Sequence, residues 1–319
     1  MIKNSLSKQE NKILNYKLIR KYMSRFKSLG LYVSIVAAML IWAFSFIWTK
    51  AALTSFRPMM LITCRLIIAS VLLLLVSLLS GRFQKIQKKD LKWFLLLALF
   101  EPYLYYIGET FGLTMVSSTL ASVIISTIPV FSPLLAFLIL RERIGWFNVA
   151  GIILSLSGVF MVIFEPSGNF HVQPLGIVLL FFAVFSAICY AVVLQKISIQ
   201  YYTLNIILYQ SLFGLMFFVP TSLLTDYSYF STLHFTRSSI EALLMLSIFA
   251  SVIAYVLFAR VVRRIGVARS NVFTNLIPVF TAVFSWIFLN EQLTTLKWMG
   301  IAIVVGGLFV SQARKIKLK

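Results

Sequence analysis

Nine of the 319 residues are acidic, and two of them, Glu101 and Glu109, fall inside one apolar run that reads EPYLYYIGET. An ionisable side chain inside a membrane-length segment is costly to keep there, so each is a functional candidate. Glu101 lies roughly 18 Å from the far end of its run at 1.5 Å per residue, close to the middle of a bilayer. No cationic residue is expected at that depth. Burial disfavours a charged carboxyl, so such a group is suited to gain and lose protons, as proton-coupled exchange requires. The alternative is a protonated acid hydrogen-bonded to a tyrosine such as Tyr105. Pro102 follows and removes a backbone donor, freeing the carbonyl of Ala98. Arg65 and Glu109 lie roughly 10 Å and 6 Å from the same end of neighbouring runs. They are expected to form an architectural charge pair.

Two polar stripes accompany prolines. Ser122, Ser126 and Pro129 share one helix face at i, i+4 and i+7, and so do Asn271, Asn275 and Pro278. Hydroxyl and amide side chains beside a proline suit a cavity wall, a flexing helix or helix–helix hydrogen bonding. Trp42, Tyr106, Tyr190 and Tyr255 are further candidate walls. The two cysteines, Cys64 and Cys189, sit in apolar runs, and the only histidines are His171 and His234. No metal-ligand cluster and no nucleophile motif is present, and no GxxxxGK[ST] pattern occurs. Neither an enzyme, an ATP-driven pump nor a cofactor or metal site is expected.

Charged residues make up 12% of the chain and hydrophobic ones 60%. Soluble domains carry roughly a quarter charged residues, so this is a membrane protein. The net charge of +20 does not mark a nucleic-acid binder, because the basic residues cluster at helix ends. Apolar runs at 31–52, 58–80, 91–113, 119–140, 146–164, 175–196, 204–224, 241–262, 268–289 and 296–312 predict ten spanning helices. With the N-terminus in the cytoplasm, the predicted outer segments carry only Lys50, Arg57, Arg237 and Lys297. That asymmetry predicts both termini inside. Residues 1–30 and 313–319 are basic tails, and either Met1 or Met23 is the start.

The string IPVF occurs at 128–131 and again at 277–280, a shift of 149 residues. The register holds for Val123 and Val272, Glu142 and Glu291, Gly151 and Gly300, and Gly158 and Gly307. The chain is therefore a duplication, 31–164 and 175–312, joined by an external linker at 165–174. Five spans is an odd number, so the second copy enters the membrane from the opposite side. Such inverted repeats mark transporters that bind cargo near the midplane. The glycine spacing predicts close packing of the fifth and tenth helices. Glu142 and Glu291 are expected to cap the helices that follow them.

These residues resemble the drug/metabolite transporter superfamily, in particular its ten-helix EamA-like branch. The resemblance rests on Trp42-Ala43-Phe44 with Lys50 following, Arg65 in the second helix, and the twice-occurring block of proline, glutamate and glycine. Ala43 stands where the family usually has glycine. The resemblance implies export of a small metabolite such as an amino acid or a related compound, through a cavity lined by both halves. The expected setting is a bacterial inner membrane. Partners would be the substrate, the lipid bilayer and protons, with no nucleic acid; a homodimer and a passive, uncoupled pathway stay open.

Overall fold

The computed structural model describes residues 30–132, 145–164, 173–197, 200–232, 234–265, 270 and 272–316. The N-terminal tail, the Arg141–Arg143 segment with Glu142, most of the linker, Asn271 and the last three residues lie outside that set. Among the described residues every regular element is helical. Helix α1 is Gly30–Ala52 and α2 is Pro58–Leu79. Helices α3 (Leu91–Ala98) and α4 (Tyr105–Met115) flank a wide turn at Leu99–Leu104. Then come α5 (Ser118–Ile125), α6 (Trp146–Ile163), α7 (Pro174–Ile197) and α8 (Thr203–Asp226). Helices α9 (Arg237–Met245) and α10 (Ala254–Ile265) flank a second wide turn at Leu246–Ile253. A tight turn at Val272–Asn275 leads into α11 (Leu276–Phe288), and α12 is Thr295–Ile316.

Among the described residues six helices are long and apolar enough to cross a membrane, and shorter apolar helices run Ser118–Ser132, Phe273–Phe288 and Thr295–Ser311. The chemistry behind this is simple: in hydrocarbon every backbone group must find its partner inside its own segment, and a helix does that. Pro58 and Pro174 open their helices where no donor is needed. Ser117 and Thr236 accept from the third residue beyond, capping α5 and α9. Large apolar side chains such as Leu79, Phe160 and Leu224 stay exposed on the outside, the face lipid would cover.

Two pairs of helices at equivalent places in the two halves meet, α2 with α8 and α6 with α12. Along α2 and α8, Met60 N–H donates to the Asp226 carboxylate (3.0 Å) and Ser77 Oγ to Asn205 Oδ1 (2.9 Å), so numbers rise on one helix as they fall on the other. Helices α6 and α12 meet reciprocally. A Cβ on Gly158 would meet the Gly300 carbonyl at 2.6 Å, and one on Gly300 would meet the Gly158 carbonyl at 2.7 Å. Gly151 and Gly307 face each other in the same way. The predicted glycine packing is present, and it is carried by backbone against backbone.

The irregular stretches also correspond. Shifting Leu99–Leu104 by 149 residues gives 248–253, inside the second wide turn. The tight turn ending at Asn275 matches a turn at Ser126–Thr127 that interrupts the Ser118–Ser132 helix. In both halves the backbone leaves the regular helix just before IPVF. The third helix expected from hydropathy is broken at Glu101, whereas the eighth runs as one helix, Arg237–Val262, with the wide turn inside it.

Glu291 corrects an expectation. It caps α5 of the other half rather than α12, accepting from Ser118 N–H (2.8 Å) and Thr119 Oγ1 (2.6 Å). Asp226 does the same for α2 through Met60. An acid at a helix N-terminus is favoured because the free N–H groups point at it. Both contacts tie the two halves together.

Two expectations follow for purified protein. Gly158→Val should lower stability by about 1–3 kcal/mol through overpacking, visible as a reduced melting temperature. Gly306→Val, where an added Cβ meets nothing within 4 Å, should not lower it. Glu291→Ala should cost about 0.5–2 kcal/mol, the usual worth of a lost cap, in the same assay.

Candidate functional site

Both halves converge on a cavity of about 280 Å³. Its wall carries Glu101, Glu109 and Arg65, with Trp42, Tyr105, Tyr106, Tyr190 and Tyr255 around them. Ser126 and Pro129 line it from the break in the fourth helical segment.

Glu101 stands at the point where the wide turn leaves helical geometry, with φ −144° and ψ 119°. Pro102 is the reason a break is tolerated here, since it offers no N–H to the ladder. The compensation seen is at Phe100, whose carbonyl accepts from the Ser186 hydroxyl at 2.6 Å. Pro102 itself packs on Gly214, where an added Cβ would meet its Cγ at 2.5 Å. The break thus turns one carboxylate toward the cavity while its neighbours stay packed.

Glu101 is held from the opposite half. The Tyr255 hydroxyl donates to Glu101 Oε1 at 2.9 Å, and no further hydrogen bond reaches that carboxyl among the described residues. The tyrosine expected to partner it, Tyr105, donates instead to Glu109 Oε1 at 2.8 Å, one helical turn away on its own helix. Tyr190 donates to Gln210 Oε1 at 3.1 Å. Trp42 Nε1 donates to the carbonyl of Ala250 at 3.3 Å, and its ring meets Tyr255 edge-on at 5.2 Å. Ala250 is the residue that the 149-residue shift places opposite Glu101.

The expected bridge between Arg65 and Glu109 is not formed. Arg65 Nε donates to Ser251 Oγ at 2.7 Å, and the guanidinium lies over the Tyr106 ring, 4.6 Å from its centre. The depth argument brought Arg65 and Glu109 to one cavity but could not choose their partners. It also missed that Arg65 shares the cavity with Glu101, which the sequence left without a nearby cation.

The polar stripes divide. Ser126 reaches the wall, with its hydroxyl donating to the Val123 carbonyl at 2.7 Å, whereas Ser122 is fully buried. On the second stripe Thr274 and Ile277 line the cavity, but Asn275 and Pro278 do not. Asn275 is 1% exposed, and its amide atoms have no partner among the described residues. Asn271 lies outside the described residues. Phe258, Ser45 and Ile128 also line it, in places that hydropathy alone did not single out.

Chains of similar sequence and shape are known. The Bacillus subtilis protein named uncharacterized transporter YetK is 29% identical, over 91% of this chain and 88% of its own length. An uncharacterized transporter of Archaeoglobus fulgidus is 28% identical over 88% of this chain and 96% of its own. A crystal structure at 17% identity superposes with a TM-score of 0.64, covering 90% of this chain and 98% of the other, a likeness of fold. The description of the EamA-like transporter family fits residues 30–164 and, separately, residues 174–312. With both halves matched and the apolar helices in place, this multi-pass membrane protein belongs to the EamA-like transporter family.

Proposed function

We propose that the protein is a secondary active transporter that exports a small metabolite by alternating access between its two halves, with protons as the coupling ion and Glu101 as their carrier. In this reading ten spans form two five-helix repeats, 31–164 and 175–312, with both termini in the cytoplasm of a bacterial cell. The observation that carries it is Glu101: a carboxyl at a helix break, held through one oxygen by Tyr255 of the other half, on the wall of a cavity that both halves build. Antiparallel pairing of equivalent helices supports two halves of opposite orientation. If the halves rock against each other, the Tyr255–Glu101 contact crosses the moving boundary. Loading the carboxyl with a proton then changes the very contact that joins the halves. No catalysis is assigned; the cavity's groups bind and exchange.

The test is a reconstitution. Vesicles containing the protein are loaded with a mixed pool of small metabolites and placed in acidic medium, and mass spectrometry reports what leaves. For one-for-one exchange, each pH unit supports about a tenfold accumulation ratio, because 1.4 kcal/mol is a factor of ten. One class of compound should leave faster under the gradient, and Glu101→Gln should remove that dependence. Equal flux with and without the gradient, in both proteins, would make the chain a uniporter and Glu101 architectural.

A further inference from the structure

Once the transported proton has left Glu101 and both acids are ionised, the cavity's charges do not sum to zero. Glu101 and Glu109 supply two carboxylates, Arg65 one guanidinium, and no other formally charged side chain is on the wall. Each carboxylate uses one oxygen on a tyrosine, leaving the other without a protein partner among the described residues. Arg65 spends Nε on Ser251 and its face on Tyr106, leaving its terminal nitrogens in the same condition. The wall therefore offers two acceptor groups and one donor group to whatever enters. An excess negative charge at membrane depth is expensive, so the occupant that suits this wall brings one net positive charge.

A neutral amino acid is a zwitterion and brings none. A diamine brings two and leaves Arg65 facing a cation. The complement of two carboxylates and one guanidinium is two cationic nitrogens and one carboxylate. We infer that the cargo is a dibasic amino acid-type compound, with its two cationic groups on Glu101 and Glu109 and its carboxylate on Arg65. This inference rests on the transporter reading for its physiology and on the wall's geometry for its chemistry. The size agrees with a small cargo, since about 280 Å³ is just below the range of drug-sized ligand cavities, roughly 300–1,000 Å³. The apolar stem of such a compound would lie along Trp42, Tyr190 and Phe258, and ring faces also favour nearby ammonium groups. One proton and one such cation carry the same charge, so their exchange moves no net charge.

Three probes separate the possibilities, measured by calorimetry on the full chain in detergent at neutral pH. L-lysine has both amines and the carboxylate, cadaverine lacks the carboxylate, and L-norleucine lacks the second amine. Lysine should bind at least about tenfold more tightly than either, because a site built around a polar group rejects the analogue lacking it. In Arg65→Gln the lysine and cadaverine affinities should converge to within about threefold, and in Glu109→Gln those of lysine and norleucine should do the same, each convergence removing about 0.7 kcal/mol or more of discrimination. Wild-type protein that binds norleucine or cadaverine as tightly as lysine, or binds none of the three, overturns the assignment even if the variants fail to fold. Preferred lysine binding without lysine flux in vesicles would uphold the assignment of the wall and overturn the transporter reading instead. Flux of another compound class from the mixed pool would do the reverse.

Discussion

The contact on which the architecture depends is the reciprocal approach of α6 and α12 at Gly151, Gly158, Gly300 and Gly307. At each of these glycines an added Cβ would stand within 3 Å of a backbone atom on the other helix. Lipid tails are as apolar as leucine, so the driving force between membrane helices is close packing rather than escape from water. Gly151 contacts Gly307, the repeat mate of Gly158, and Gly158 contacts Gly300, the repeat mate of Gly151, so the pairing obeys a two-fold relation. The same relation recurs in α2 with α8. One local rule, small residues spaced by two turns, therefore fixes how two copies of one unit face each other.

The site departs from that symmetry. The scaffold supplies two equivalent wide turns, yet only the first is broken and carries an acid; Ala250 occupies the matching place and serves through its carbonyl, accepting from Trp42. Breaks in membrane helices leave backbone polar groups that must be met by protein or by a cavity. Here the break at Glu101 is met by Ser186, and in the wide turn of the second half Trp42 donates to the Ala250 carbonyl. Once those demands are satisfied, the side chains at the wide turns are free to differ. The charged groups all come from the first half, and the second contributes the hydroxyls of Tyr255 and Ser251 that hold two of them.

Much of this was written into the sequence in forms that local reading can recover. The echo of IPVF with its following glutamate and glycines exposed the duplication, and the glycine spacing exposed the packing of α6 with α12. Glu101 and Glu109 stood out because acids are scarce in apolar runs. Partner choice was not recoverable. Tyr105 is near Glu101 in sequence, yet it donates to Glu109, and Tyr255, 154 residues away, takes the role. Arg65 was matched to Glu109 by depth alone, which says nothing of azimuth. Glu291 looked like a cap for the helix after it, and only the antiparallel placement of the halves brings α5 within reach.

Gly214 carries one more implication. The 149-residue shift makes it the counterpart of Arg65, and the space its side chain would need is filled by Pro102. A chain assembled from two identical first halves would have to fit an arginine there, against the ring that accompanies the helix break. The two roles are sterically exclusive at that spot. Asymmetry between the halves is in this respect a condition of closing the molecule, so the duplicated unit could keep its charged wall in one copy only by giving up the arginine in the other.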